Sequence, residues 1–295
     1  MVLQEAFEWQ IALYLFLGGV GAGAILSAVI VDFYDREKYL AYIKGASLVG
    51  MPAVSIGCLF LLIDLGQGLK KPWLLIYLLS NPTSAITWGT AILSLFIFIS
   101  LIYAAYNFNF IKFGGGTFVK IALILLCLGT GGYTGVLLGL LKAIPLWHQT
   151  ALPILFIISA ASTGISAAVI MKELFIKDKG ELHMIETMHY YLLLIEFVIV
   201  FGMILIGLNG VPEMVYSMKL LLVGKYAFQF WSMFLILGLI LPIIVYTFVE
   251  SKKLHLSKKS IVLIEALVLL GGFYLRYLII HAGAYTEKFV QYIGR

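Results

Sequence analysis

Five residues in this chain of 295 place reactive chemistry inside apolar surroundings: Tyr14, Asp64, Tyr133, Glu196 and Arg276. A tyrosine hydroxyl donates and accepts hydrogen bonds, a carboxylate takes up and returns a proton, and a guanidinium holds fixed charge. Each interrupts a run of Leu, Ile, Val, Phe and Gly, where a polar group is costly unless a partner or a task accounts for it. Glu196, in mid-run, is by default half of an ion pair or a step in a proton path. Arg276 is the basic residue deep enough in an apolar run to pair with it. For the tyrosines two readings stand side by side. Tyr14 is an aromatic-belt residue or a ligand contact, and Tyr133 rests its hydroxyl on a backbone carbonyl or on a ligand.

The elements that carry these residues follow from composition. The chain is 62% hydrophobic and 12% charged, with a mean hydropathy of +1.04, against about 25% charged residues in soluble domains. A bilayer core of about 30 Å needs about 20 apolar residues per helix. Eight such runs are present: 12–31, 42–63, 86–103, 118–141, 152–171, 190–208, 227–249 and 261–280. The predicted fold is an all-α integral membrane protein of eight transmembrane helices, with no room for a separate soluble domain. The net charge of +5 belongs to loops beside the membrane and is no nucleic-acid signal. Lys and Arg number seven in loops on the side of both termini and twelve on the other. The positive-inside rule then predicts a multi-pass protein of the cell membrane with both termini extracytoplasmic. Residues 1–10 hold Glu5 and Glu8 and no Lys or Arg, which is not a signal-peptide n-region, so the first run is expected to remain as a helix.

Small residues organise the packing. Gly131, Gly135 and Gly139 recur every four residues and form a smooth stripe for a neighbouring helix, as do Gly19 and Gly23. Tyr133 lies two residues from Gly131, roughly 200° around the helix, so its hydroxyl points away from that stripe. Tyr14, Asp64 and Tyr133 fall in the outer half of the first four helices, at one depth. A shift of 141 residues lays Gly19 on Ala160 and Gly23 on Gly164, and a shift of 140 lays Gly131-Gly132-Tyr133 on Gly271-Gly272-Phe273. The expectation is two parallel four-helix bundles, residues 1–148 and 149–295, with the outer polar cluster in the first. Pro242 is expected to kink the seventh helix.

Other chemistries are weaker. Cys58 and Cys127 cannot hold an iron–sulfur cluster, which takes about four thiolates, and read as packing residues. The five histidines lie near loops, which disfavours haem. Glu186-x-x-His189 resembles half of a carboxylate-bridged metal site without its second copy and reads as an interfacial turn, so no metal is expected. A secondary transporter wants paired ionisable groups at the midplane, to which Glu196 and Arg276 offer a little. A quinone-exchanging subunit fits better: its head-group needs hydrogen-bond donors at the membrane rim, a titratable group nearby, and lipid access for its tail.

The ordered segments Tyr14-Leu-Phe-Leu-Gly-Gly, Asp64-Leu-Gly, Asn81-Pro-x-Ser84 with Thr87-Trp88-Gly89, Tyr133-Thr-Gly-Val-Leu-Leu with Pro145-Leu-Trp147, Ser162-Thr-Gly164 and Gly271-Gly-x-x-x-Arg276 resemble the NrfD/PsrC family of reductase membrane subunits. The resemblance implies menaquinone or ubiquinone chemistry, with no haem or iron–sulfur cluster in this chain. It implies docking to a ferredoxin-like iron–sulfur subunit, which exchanges electrons with a molybdopterin or multihaem catalytic subunit. On this resemblance Tyr133 matches a tyrosine that hydrogen-bonds a quinone carbonyl, and Asp64 matches an acidic residue that handles its protons. Tyr14 stands where some members have a quinone-binding histidine, and Gln67 where many have arginine. Glu196 and Arg276 match second-half polar residues of a proton path. A structural anchor without its own quinone site is the alternative, with a transporter third.

Overall fold

The computed structural model describes residues 1–4, 7–64, 81, 83–176, 182–251 and 257–285, the side chain of Asp64 excepted. In sequence order these form β1 (Val2–Leu3), α1 (Trp9–Asp64), α2 (Ala85–Asn107), α3 (Thr117–Gly139), α4 (Ala151–Phe175), α5 (His183–Leu208) and α6 (Pro212–Leu222). A π-helical segment (Gln229–Ile240), α7 (Leu241–Glu250), α8 (Lys258–His281) and β2 (Ala284–Tyr285) complete them. Among the described residues, seven helices are long and apolar enough to cross a membrane. Their outward faces bear large apolar side chains, such as Phe98, Leu125, Val198 and Phe201. A surface of that kind is stable only in lipid, and this is a multi-pass membrane protein.

The first of the seven holds two of the predicted runs. A straight helix of 56 residues would be about 84 Å long, but the helical dihedrals fail at Asp35 (φ −158°, ψ 94°), inside the charged stretch Asp32–Lys38. Asp35 Oδ1 accepts the Lys38 backbone N–H at 3.2 Å and caps the second leg, as an N-cap aspartate does. The legs pack antiparallel. A Cβ on Gly21 would meet the Gly50 carbonyl, a Cβ on Gly57 would lie 3.3 Å from the Tyr14 carbonyl, and Ser27 Oγ sits 2.7 Å from the Tyr42 hydroxyl.

The first leg of α1 also crosses α4 in backbone contact. A Cβ on Gly23 would come within 1.8 Å of the Ala160 carbonyl oxygen, and one on Gly164 within 2.1 Å of the Ala24 nitrogen. Only residues without a Cβ permit that approach. The Gly131/Gly135 stripe faces α4 as expected, against Ile157 and the Pro153 backbone respectively.

Two ties close the ends. β1 pairs antiparallel with β2 (Val2 with Tyr285, Leu3 with Ala284), and Trp147 donates its indole N–H to the Ile279 carbonyl at 2.7 Å while stacking on Phe7. At the opposite end Asp32 is held by Arg36 (3.0 Å), Lys120 (3.1 Å) and the Tyr103 hydroxyl (2.8 Å), which joins α1, α2 and α3. The expected kink at Pro242 takes another form: helix type changes there, from the π-helical segment to α7, with the proline in the first turn of α7, where its missing N–H costs no bond.

Candidate functional site

Tyr14 sits one and a half turns into α1 and is completely buried, so it is no aromatic-belt residue. Its hydroxyl has no hydrogen-bond partner among the described residues. A buried hydroxyl without a partner costs about 1–3 kcal/mol, and such a group marks a place where something else is meant to be met. It lies close enough to the Tyr133 hydroxyl and the Cys58 thiol to interact with them electrostatically. Tyr14, Cys58 and Tyr133 thus share one region of the interior, bounded by both legs of α1 and by α3.

Tyr133 is half-buried, on the side of α3 away from the glycine stripe, and its ring lies against Gly89 of α2. The motif before Gly89 builds the start of that helix. Ser84 Oγ accepts the Ile86 N–H at 3.3 Å, Asn81 Oδ1 accepts from Thr83, and the Thr87 hydroxyl donates to the Asn81 carbonyl at 2.6 Å. Asn81, Ser84 and Thr87 are capping chemistry that sets the position of Gly89 under the Tyr133 ring. Asp64 is the last residue of α1; its side chain, with Gln67 and Pro82, lies outside the described residues.

Glu196 and Arg276 are both buried and near each other, but not as the direct ion pair their depth suggested. Serines of α4 stand between them. Arg276 Nη1 donates to Ser159 Oγ at 2.9 Å and to the Gly272 carbonyl at 2.7 Å, while Ser162 Oγ donates to Glu196 Oε2 at 2.9 Å. The guanidinium carbon also lies 5.3 Å from the Phe156 ring centre and 6.0 Å from that of Phe16. Helix α4 explains the arrangement: Ser159 and Ser162 are one turn apart and share a face. The motifs Ser162-Thr-Gly164 and Gly271-Gly-x-x-x-Arg276 are therefore two sides of one contact, in which Gly272 meets Thr163 and Gly271 meets Gly238 of the π-helical segment.

Three polar residues escape the sequence reading. Glu265 lies within the apolar run 261–280 and is 1% exposed, beside His189 (Nδ1 to Oε1 3.3 Å) and the Tyr246 hydroxyl (2.5 Å). His189 is thus paired inside the helix bundle, not placed in an interfacial turn. The signal for Glu265 is present, since an acid within an apolar run is what singles out Glu196. The third, Asp32, is hidden at the end of its run.

The polysulphide reductase NrfD family model matches residues 3–287. The chain belongs to the NrfD family. Within that family it is 29% identical over 302 residues to a component of the polysulfide reductase of Wolinella succinogenes, covering 94% of each protein. It is 26% identical to protein NrfD of Escherichia coli, covering 95% of each. A component of the selenate reductase of Mesobacillus selenatarsenatis is 22% identical, over 88% of this chain and 70% of the relative. The likeness to NrfD proteins therefore runs through both legs of α1 and on to β2.

Proposed function

We propose that this chain is the membrane subunit of a respiratory oxidoreductase complex, binding quinone or quinol near the extracytoplasmic face and exchanging two electrons with an iron–sulfur partner. The observation that carries the reading is the orphan hydroxyl of Tyr14, buried beside Tyr133 in a member of a family whose relatives bear the names of reductases. An unpartnered donor in an apolar interior fits the oxygen of a flat, apolar ring. A bound quinol supplies two electrons and two protons. Tyr14 and Tyr133 hold its oxygens and orient the ring, and Asp64 takes up and releases protons at the rim. Glu196 and Arg276, with Ser159 and Ser162, form a proton path deeper in the membrane.

In this reading the two legs of α1 each cross the bilayer, which makes eight crossings with both termini extracytoplasmic. The eight group as two four-helix bundles, residues 1–148 and 149–295. The contact of Gly23 with the Ala160–Gly164 stretch supports that grouping, because the residues that meet there are counterparts at a shift of 141. The partners are a ferredoxin-like iron–sulfur subunit and a molybdopterin or multihaem catalytic subunit, and the quinone is menaquinone or ubiquinone.

The test is Tyr133→Phe in the assembled complex. Loss of a hydrogen bond to a charged oxygen, about 1.5–3 kcal/mol, predicts a fall in quinol-dependent turnover of roughly 10- to 100-fold with assembly unchanged. Full turnover in both Tyr133→Phe and Tyr14→Phe would leave the protein as an anchor whose partners meet the quinone elsewhere.

A further inference from the structure

Beyond the tyrosine region, α4, α5, α7 and α8 enclose a second set of buried titratable groups. We infer that Glu265, His189 and Tyr246 form a proton inlet, which carries protons from the membrane face bearing Glu173 and Glu250 along Ser166 and Ser162 to Glu196. The inference stands on these four helices alone and holds for an anchor as well as for a quinone-binding subunit.

Depth is the first argument. At 1.5 Å per residue, His189 lies about 9 Å beyond the start of α5 and Glu265 about 10 Å beyond the start of α8. On the same rise Glu196 is about 20 Å in, and Arg276 about 27 Å. Ser166, Ser162 and Ser159 climb α4 through the same interval. The groups form a ladder rather than a cluster at one level.

Contact is the second argument. Tyr246 donates to Glu265 Oε1, and His189 Nδ1 faces that same oxygen at 3.3 Å. Ser166 Oγ is 3.5 Å from His189 Nε2 and donates to the Ser162 carbonyl at 3.1 Å, and Ser162 Oγ donates to Glu196. His189 is 0%, Glu265 1% and Glu196 3% exposed, so none titrates against bulk solvent directly.

Unsatisfied atoms are the third. Glu265 Oε2, His189 Nδ1 and Arg276 Nε have no hydrogen-bond partner among the described residues. A purely structural polar network saturates its members; one that passes protons keeps sites free to accept them. Glu186 of α5, Lys172 of α4, Glu250 of α7 and Tyr42 of α1 interact electrostatically with these acids and connect them toward the aqueous end. Asp32, at the same end of α1, differs: it is clamped by Arg36 and Lys120 and leads nowhere.

The transfer balances without a co-reactant. A proton on Glu265 passes to His189 Nδ1 as Nε2 releases one toward Ser166, leaving the other neutral tautomer. The hydroxyls accept and donate in turn, and the Glu196 carboxylate becomes the acid.

The test is infrared hydrogen–deuterium exchange on the purified full-length protein in lipid, with no quinone added. The Glu196 carboxylic acid band is assigned by its loss in Glu196→Gln. Glu265→Gln and His189→Phe should slow deuteration of that band by roughly a hundredfold, the contribution of a positioned proton-transfer group. Tyr103→Phe, beside Asp32, should leave it unchanged, and thermal unfolding verifies that each variant is folded. An unaltered exchange rate in folded Glu265→Gln, or a Glu196 that shows no acid band at any pH where the protein stays folded, overturns the inlet. Failure of the quinone reading would leave this result untouched.

Discussion

The ring of Tyr133 occupies the space where residue 89 would carry a side chain: a Cβ on Gly89 would come within 1.9 Å of the Tyr133 Cζ. The position of that hydroxyl is therefore set by the absence of a methyl group on another helix. Gly89→Ala should displace the ring while leaving the helices in place. A displacement of about 1 Å at a reacting site can cost about 100-fold in rate, and quinol-dependent turnover should fall by roughly that factor. Gly202→Ala, whose added methyl meets nothing within 4 Å, is the matched control and should turn over normally.

Tyr14 separates stability from binding. Since its buried hydroxyl has no partner among the described residues, Tyr14→Phe should not destabilise the ligand-free protein, and a gain of about 1 kcal/mol is expected from removing an unsatisfied polar atom. The same variant should lose most of the thermal stabilisation that added quinol gives the parent. Thermal unfolding in detergent, with and without quinol, reads both effects. A destabilised ligand-free variant would mean that the hydroxyl has a structural partner.

The crossing of α1 and α4 predicts a severe defect. With the Ala160 oxygen 1.8 Å from a Cβ on Gly23, Gly23→Val must push two backbones apart. Overpacking of ordinary cores costs about 1–3 kcal/mol, and here there is no flexible side chain to yield. The variant should fail to accumulate in membranes, whereas Gly132→Ala, facing only the tip of Ile157, should accumulate normally.

Trp147 offers a milder test. Trp147→Phe retains the stacking on Phe7 but orphans the Ile279 carbonyl. The expected loss is about 1–3 kcal/mol, read as a lowered unfolding midpoint with the helix content of the folded state preserved.

How much of this is legible in the residues alone depends on the physics behind each feature. Apolar runs of about 20 residues are forced by the bilayer, so the membrane helices stand out from composition, and the Gly131 stripe reveals its packing face through its period. The joining of the first two runs into α1 is hidden, because the charged stretch between them looks like a loop while Asp35 alone breaks the helix. Helix α6 and the π-helical segment carry no periodicity that separates them from their neighbours. Residue pairings are the least legible. Glu196 and Arg276 announce themselves as costly, but not that serines stand between them, and His189 reads as interfacial although it faces Glu265 across the bundle. Depth along a helix is written in the sequence, whereas rotation toward a particular neighbour is decided by packing. The relation of Asp64 to Tyr133 lies outside the described residues.

The meeting of Gly23 with Ala160 and Gly164 also has a mechanical meaning. Elsewhere in the bundle, layers of flexible side chains let helices slip or tilt by small repacking, but here two main chains bear directly on each other. Such a joint has no cushion: it can pivot like a fulcrum, and it resists sliding.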